Sequence, residues 1–265
     1  MSQIKQGHVE AGGVRYGYEI HGAGAPLLLL HGGFGTLEMF GPGLASLAAR
    51  RQVIAVDLYG HGRTALTDRP IDPVAIGDDM ATLVRALGFE RVDVLGFSFG
   101  GMVAFRLAVQ HPEVVDKLVL VSVPYAETGF YADIREQQKA VTREGAAMLM
   151  QAPLYEAYKA VAPRVEDFPE FVTRMGEAIR RPYDWSEDAR GPEAHDPAGL
   201  RRQRHVRTGT HRALLSAARR GVARRGLGRR RHGPPSAGDP AGGHSLRDVR
   251  GSGPGRYGAG LPRRR

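Results

Sequence analysis

The residues with most chemical content are Gly96-Phe97-Ser98-Phe99-Gly100-Gly101, a G-x-S-x-G arrangement. A serine hydroxyl becomes a useful nucleophile when a sharp turn lifts it clear of its neighbours and donors face the charge it creates. Glycines on both sides of Ser98 permit such a turn. Ser98 is therefore the candidate nucleophile, and the amide of Phe99, at the start of a helix, is a candidate oxyanion donor. A second stretch, His31-Gly32-Gly33-Phe34-Gly35, follows an apolar run. Its Gly33 amide is the candidate second donor. Both stretches have a plainer reading: a turn that binds phosphate or merely packs, or a loop whose glycines supply positive φ. His31 reads as a hydrogen-bonding brace of its loop. In Asp57-Leu58-Tyr59-Gly60-His61-Gly62-Arg63-Thr64, an Asp beside two glycines predicts a rigid, hydrogen-bonded loop of structural role.

These groups are useful only if secondary structure positions them. Val9–Glu10 and Val14–Ile20 flank Ala11-Gly12-Gly13 and predict a β-hairpin. Pro26–Leu30 is a continuous apolar run, as expected of a strand covered on both faces. Leu37–Arg50 reads as a helix, Gln52–Asp57 as a strand, and Ile71–Leu87 as a helix opening on Asp72 and Pro73 and closing before Gly88. Arg91–Gly96 reads as a strand, Phe99–Gln110 as a helix ending before His111-Pro112, and Val114–Val123 as a strand. Alternation at this spacing predicts an α/β fold, a mostly parallel central sheet with flanking helices. From Ala126 to about Tyr183 the periodicity is helical, with breaks expected at Pro153, Pro163 and Pro169.

The chain has 265 residues and no cysteine. That excludes a disulfide scaffold, a thiolate zinc site, an iron–sulfur cluster and a thiol nucleophile. At ~150 residues per domain, one large or two small domains are expected. No apolar run approaches the roughly 20 residues that span a bilayer. The N-terminal Met1-Ser2-Gln3-Ile4-Lys5 lacks the apolar stretch of a signal peptide. A cytoplasmic protein is expected, without membrane partners.

The net charge of +9 is unevenly spread. Residues 1–190 hold 19 Lys+Arg against 24 Asp+Glu, a net of −5. Residues 191–265 hold 18 Arg against 4 Asp+Glu, a net of +14. The latter contain no Ile, Phe, Met or Trp, and 22 of their 75 residues are Gly or Pro. By composition the first stretch can bury a core, and the second is expected to be disordered.

Taken together, H-G-G-x-G, D-x-x-G-H-G-x-[ST] and G-x-S-x-G-G, in that order after successive strands, resemble the α/β-hydrolase family. The likeness is to its esterase, lactonase, haloperoxidase and proline-iminopeptidase-like branch. It covers residues 8–190. It implies Ser98 as nucleophile, the amides of Gly33 and Phe99 as oxyanion hole, a helical cap, and a small-molecule acyl substrate such as an ester or lactone. No metal or organic cofactor is implied. The expected domains are a core over 1–125, a cap over 126–184 and an Arg/Gly/Pro-rich tail over 185–265, with the final strands of the fold missing.

The family also carries an acid in a setting like L-L-V-x-G-x-x-D and a histidine in a setting like L-P-G-x-x-H. Neither is present, so the acid and base are unassigned. His195, His205, His211, His232 and His244 read as solvated tail histidines. A frame change explains the gap. Read one base forward, the codons of Glu193–Arg204 permit K-P-T-I-L-L-V-Y-G-D-S-D, and those of Asp239–Leu246 permit I-L-P-G-V-T-H-Y. One shift, placed near Asp188–Pro192, restores both motifs in order. It also accounts for the composition, since a GC-rich gene read out of frame yields Arg, Gly, Ala and Pro. The alternative is a genuine arginine-rich arm. Arg224-Arg225 and Arg229-Arg230-Arg231 suit polyanions, but only Tyr257 could stack on a base, so no specific nucleic-acid partner is expected. The resulting alternatives are an impaired serine hydrolase, an inert relic of one, or a basic polyanion binder.

Overall fold

The computed structural model describes residues 4–190 and the backbone of Arg207–Thr208. Strands β1 (Lys5–Ala11) and β2 (Val14–His21) form an antiparallel hairpin. It turns on Gly12 and Gly13, both at positive φ. The strands are longer than the apolar pattern alone indicates, because β1 is an edge strand whose outer residues remain exposed. Next come β3 (Pro26–Leu30), β4 (Gln52–Val56), β5 (Val92–Phe97), β6 (Val115–Val121) and the two-residue β7 (Arg207–Thr208). The sheet order is β1-β2-β4-β3-β5-β6-β7. Pairing is antiparallel through β2–β4 and parallel from β4 onward.

The unbroken leucines of β3 are explained by cover on both faces. Leu28 and Leu30 join the larger core with Ile54, Val56, Ile76, Met80, Val103 and Leu107. Leu27 and Leu29 face the other way, with Val53, against Phe40, Leu44 and Leu47. The helices on the larger core are α2 (Pro73–Ala86) and α3 (Phe99–Gln110). The Asp72 side chain caps α2 by accepting from the Val74 amide at 3.0 Å.

Two expectations are corrected. Leu37–Arg50 is not one helix. A 3₁₀ turn at Leu37–Phe40 is followed by α1 (Pro42–Ala48), and the break is at Gly41, where φ is 44°. Downstream, Pro153 and Pro169 start helices rather than break them. Each sits in a first turn, where a missing N–H is harmless, opening α6 (Pro153–Val161) and α7 (Phe168–Arg180). The segment also holds α4 (Ala132–Lys139) and α5 (Ala146–Leu149), and α8 (Ser186–Arg190) follows it. Its two ends are tied by an antiparallel bridge between Ala126 and Asp184. Adjacent bonds run from the Glu127 amide to the Tyr183 carbonyl (3.0 Å) and from the Trp185 amide to the Tyr125 carbonyl (2.8 Å).

Candidate active site

Both β4 and β5 pair with β3, on opposite sides. The chain therefore reverses its direction of travel across the sheet between β3 and β5. In open α/β sheets the crevice at the carboxyl ends of two such strands is the usual binding place. Here it receives His31-Gly32-Gly33 from β3 and Ser98 from β5.

Ser98 has φ 51° and ψ −118°, outside the region ordinary side chains prefer. Such a conformation costs about 1–3 kcal/mol and persists only when its surroundings impose it. The surroundings are the close approach of α3 to the sheet. A Cβ on Gly96 would collide with the Gly100 carbonyl, and one on Gly100 with the carbonyls of Leu30 and His31. A Cβ on Gly101 would stand 2.8 Å from Val123 Cγ1. The glycines of the motif thus let β5 and α3 meet, and Ser98 absorbs the turn. Its amide donates to the Val121 carbonyl (2.9 Å), and its carbonyl accepts from the amides of Gly101 (2.8 Å) and Met102 (3.1 Å).

The glycine-rich loop lies against this turn. A Cβ on Gly32 would be 3.4 Å from Ser98 Cβ, and one on Gly33 would be 3.5 Å from Phe99 Cβ. Among the described residues, neither the Gly33 amide nor the Phe99 amide has a hydrogen-bond acceptor. The Phe99 amide belongs to the first turn of α3, where partial positive charge gathers.

Four hydrogen-bonded side chains make the loops rigid. His31 Nδ1 donates to the Gly32 carbonyl (2.8 Å), and its Nε2 accepts from the Leu58 amide (3.0 Å). That pattern requires a neutral ring, and burial keeps it neutral by lowering its pKa, against the opposing pull of Asp57. Both ring nitrogens are engaged in bracing. Asp57 is wholly buried. It accepts from the Leu37 amide (2.8 Å), the Arg63 amide (2.9 Å) and Arg63 Nη1 (2.9 Å). Thr64 donates to the Asp57 carbonyl (2.6 Å) and accepts from the Gly17 amide (3.0 Å). His61 Nδ1 donates to the Tyr59 carbonyl (2.9 Å). Burial, then the neighbouring His31, lower the His61 pKa to about 3.

The roof comes from α7. Its apolar face, Phe168, Phe171, Val172 and Met175, follows the helical period. Phe171 meets Phe34 edge-on at 5.4 Å and His61 at 4.6 Å. Met175 Cε would be 2.9 Å from a Cβ on Gly33. Motif reading missed Phe171 and Met175, which no local pattern links to Ser98. The helical period of α7 was the one available signal.

Among the described residues, no hydrogen bond joins Ser98 to an imidazole or a carboxylate. The candidates His195, His205, His211, His232 and His244, both frame-shifted motifs and the arginine clusters lie outside the described residues.

A family model for the alpha/beta hydrolase fold matches residues 25–231, more than half of the chain. The chain belongs to this family. The alpha/beta hydrolase fold includes hydrolases of several chemistries, and the relatives reflect that. The RutD protein of Azorhizobium caulinodans, provisionally named a carbamate hydrolase, is 37% identical over 149 residues, covering 55% of this chain and 52% of that protein. A 2-hydroxy-6-oxo-6-(2'-aminophenyl)hexa-2,4-dienoic acid hydrolase of Metapseudomonas resinovorans is 29% identical over 207 residues, covering 73% of this chain and 69% of that enzyme. The match to RutD thus spans about half of that relative's length. Among solved structures, a hydrolase from Pseudomonas aeruginosa PA01 is 24% identical with a TM-score of 0.51, covering 68% of this chain and 74% of that one. That likeness concerns the fold. This alpha/beta hydrolase is therefore a member of a hydrolase family, and among its described residues no helix is long and apolar enough to cross a membrane.

Proposed function

We propose that the chain is a serine hydrolase of acyl compounds, an ester, a lactone or a related substrate. Ser98 attacks the carbonyl carbon, and the amides of Gly33 and Phe99 hold the oxygen that becomes negative. The observation that carries this reading is the left-handed backbone of Ser98 between β5 and α3, beside two amides that have no acceptor among the described residues. Residues 1–125 form the core, 126–184 the cap over the crevice and 185–265 a tail, in a cytoplasmic protein. Hydrolysis of a p-nitrophenyl ester tests the reading. Ser98→Ala is expected to lower the rate on the order of 100-fold or more. Equal rates would refute Ser98 as nucleophile in this chain.

The lack of the family's acid and histidine motifs in this sequence supports a second reading, an inert relic of such an enzyme. Without general-base assistance a serine loses ~10²–10⁴-fold in rate. The frame change links the two readings, because it removes the acid and the histidine together. Sequencing the coding DNA across Asp188–Pro192 is expected to show one base gained or lost relative to close kin. An intact single frame in kin, with the same arginine-rich tail, would refute it. Polyanion binding by residues 191–265, which carry a net of +14, would be salt-sensitive and independent of Ser98.

A further inference from the structure

Just past β6 the backbone turns left-handed at a second serine, Ser122, with φ 56°. Among the described residues, Phe34, Ser98 and Ser122 are the non-glycine residues with positive φ. The first two already belong to the crevice. Both neighbours of Ser122 touch the elbow. The Val121 carbonyl accepts the Ser98 amide at 2.9 Å, and Val123 Cγ1 packs where a Cβ on Gly101 would stand, 2.8 Å away. Ser122 Oγ is buried, and it has no hydrogen-bond partner among the described residues.

A serine is doubly unfavourable at this place. Glycine would relax the backbone, and alanine would remove an unpaired buried hydroxyl. A residue carrying both penalties beside a nucleophile fits a partner that arrives with the ligand. The roof offers the ligand little to bond, since Phe34, Phe171 and Met175 are apolar.

We propose that Ser122 is a specificity-determining residue of this site, hydrogen-bonding a polar atom of the acyl substrate close to the carbonyl that Ser98 attacks. The proposal rests on the serine-hydrolase reading and narrows its substrate class. A hydroxyl both donates and accepts. The site therefore takes acyl compounds bearing a hydroxyl, oxo or N–H group within a few atoms of the carbonyl, in preference to plain alkyl esters.

The test compares two boronic acids that form tetrahedral adducts with a serine, acetamidomethylboronic acid and butylboronic acid. Affinities are measured by calorimetry on the full chain, on Ser122→Ala and on Ser122→Gly. The native chain is expected to favour the acetamido compound, and both variants to lower that affinity ratio about three- to tenfold. Ser122→Gly relaxes the turn, so it reports even where Ser122→Ala does not fold. An unchanged ratio overturns the role of Ser122 and leaves Ser98 as nucleophile. Failure of the native chain to bind either boronic acid overturns the serine-hydrolase reading, and this inference with it.

Discussion

Gly100 carries no side chain, yet the placement of Ser98 depends on it. A methyl group there would press on the carbonyls of Leu30 and His31, which are backbone atoms with little freedom to yield. Gly100→Ala must therefore push α3 away from β3 or distort the elbow. Overpacking against fixed backbone is expected to lower stability by about 3 kcal/mol. Urea unfolding followed by circular dichroism checks the value, and a loss below about 0.5 kcal/mol would show that the turn is looser than described. Ser98 illustrates the same logic from the other side. It holds φ 51° because its amide and carbonyl are both bonded, to Val121 and to Gly101 and Met102. These features are legible in sequence, because a glycine-serine-glycine spacing between a strand and a helix admits few geometries. Ser122 is different. The residues that its chain neighbours Val121 and Val123 touch, Ser98 and Gly101, lie more than twenty positions away, and no local pattern marks it.

At the scale of elements, the crevice is shaped by how loops are pinned. Asp57 receives three N–H groups, from Leu37 and Arg63, so one carboxylate joins the loop after β4 to the loop after β3. Asp57→Ala leaves the amides of Leu37 and Arg63 without their acceptor, while the Arg63 guanidinium keeps Glu38 and Glu19. A loss of about 3 kcal/mol is expected, from buried donors left unsatisfied. Asp57→Asn keeps one acceptor oxygen and should lose less. Thermal unfolding of the two variants side by side checks this order, and equal losses would contradict it. The strands β3 and β4 and the helices α2 and α3 are close to what periodicity and turn residues indicate. Leu37–Arg50 was misread as one helix because Gly41 adopts a conformation open mainly to glycine, which apolar spacing does not reveal. Pro163 falls in the break between α6 and α7, as expected, whereas Pro153 and Pro169 stand in first helical turns, because a proline starts a helix as readily as it ends one.

At the scale of the molecule, two buried imidazoles among the described residues predict a stability that depends on acid. His31 and His61 are neutral in the folded chain because burial lowers both pKa values. In the unfolded chain each returns to about 6.5. Between that value and the folded one, the unfolded state binds more protons, so stability rises with pH. The His61 contribution is complete above pH 6.5 and is lost as pH falls toward about 3. From His61 alone, stability at pH 5 should be about 2 kcal/mol below that at pH 7. His61→Phe, which removes the titrating ring from its aromatic surroundings, should flatten that slope in urea titrations. An unchanged slope would place the acid sensitivity elsewhere. The alpha/beta hydrolase fold, the elbow and the glycine-rich loop were set by the sequence itself, since strand–helix alternation and glycine spacing act over a few residues. Only the tertiary structure decided that Phe171 and Met175 roof the crevice, which partners His31 and Asp57 bond in bracing it, and that the turn at Ser122 adjoins the turn at Ser98. Those relations join residues dozens of positions apart, and they arise from packing two helices and several loops on one end of the sheet, which no local pattern encodes.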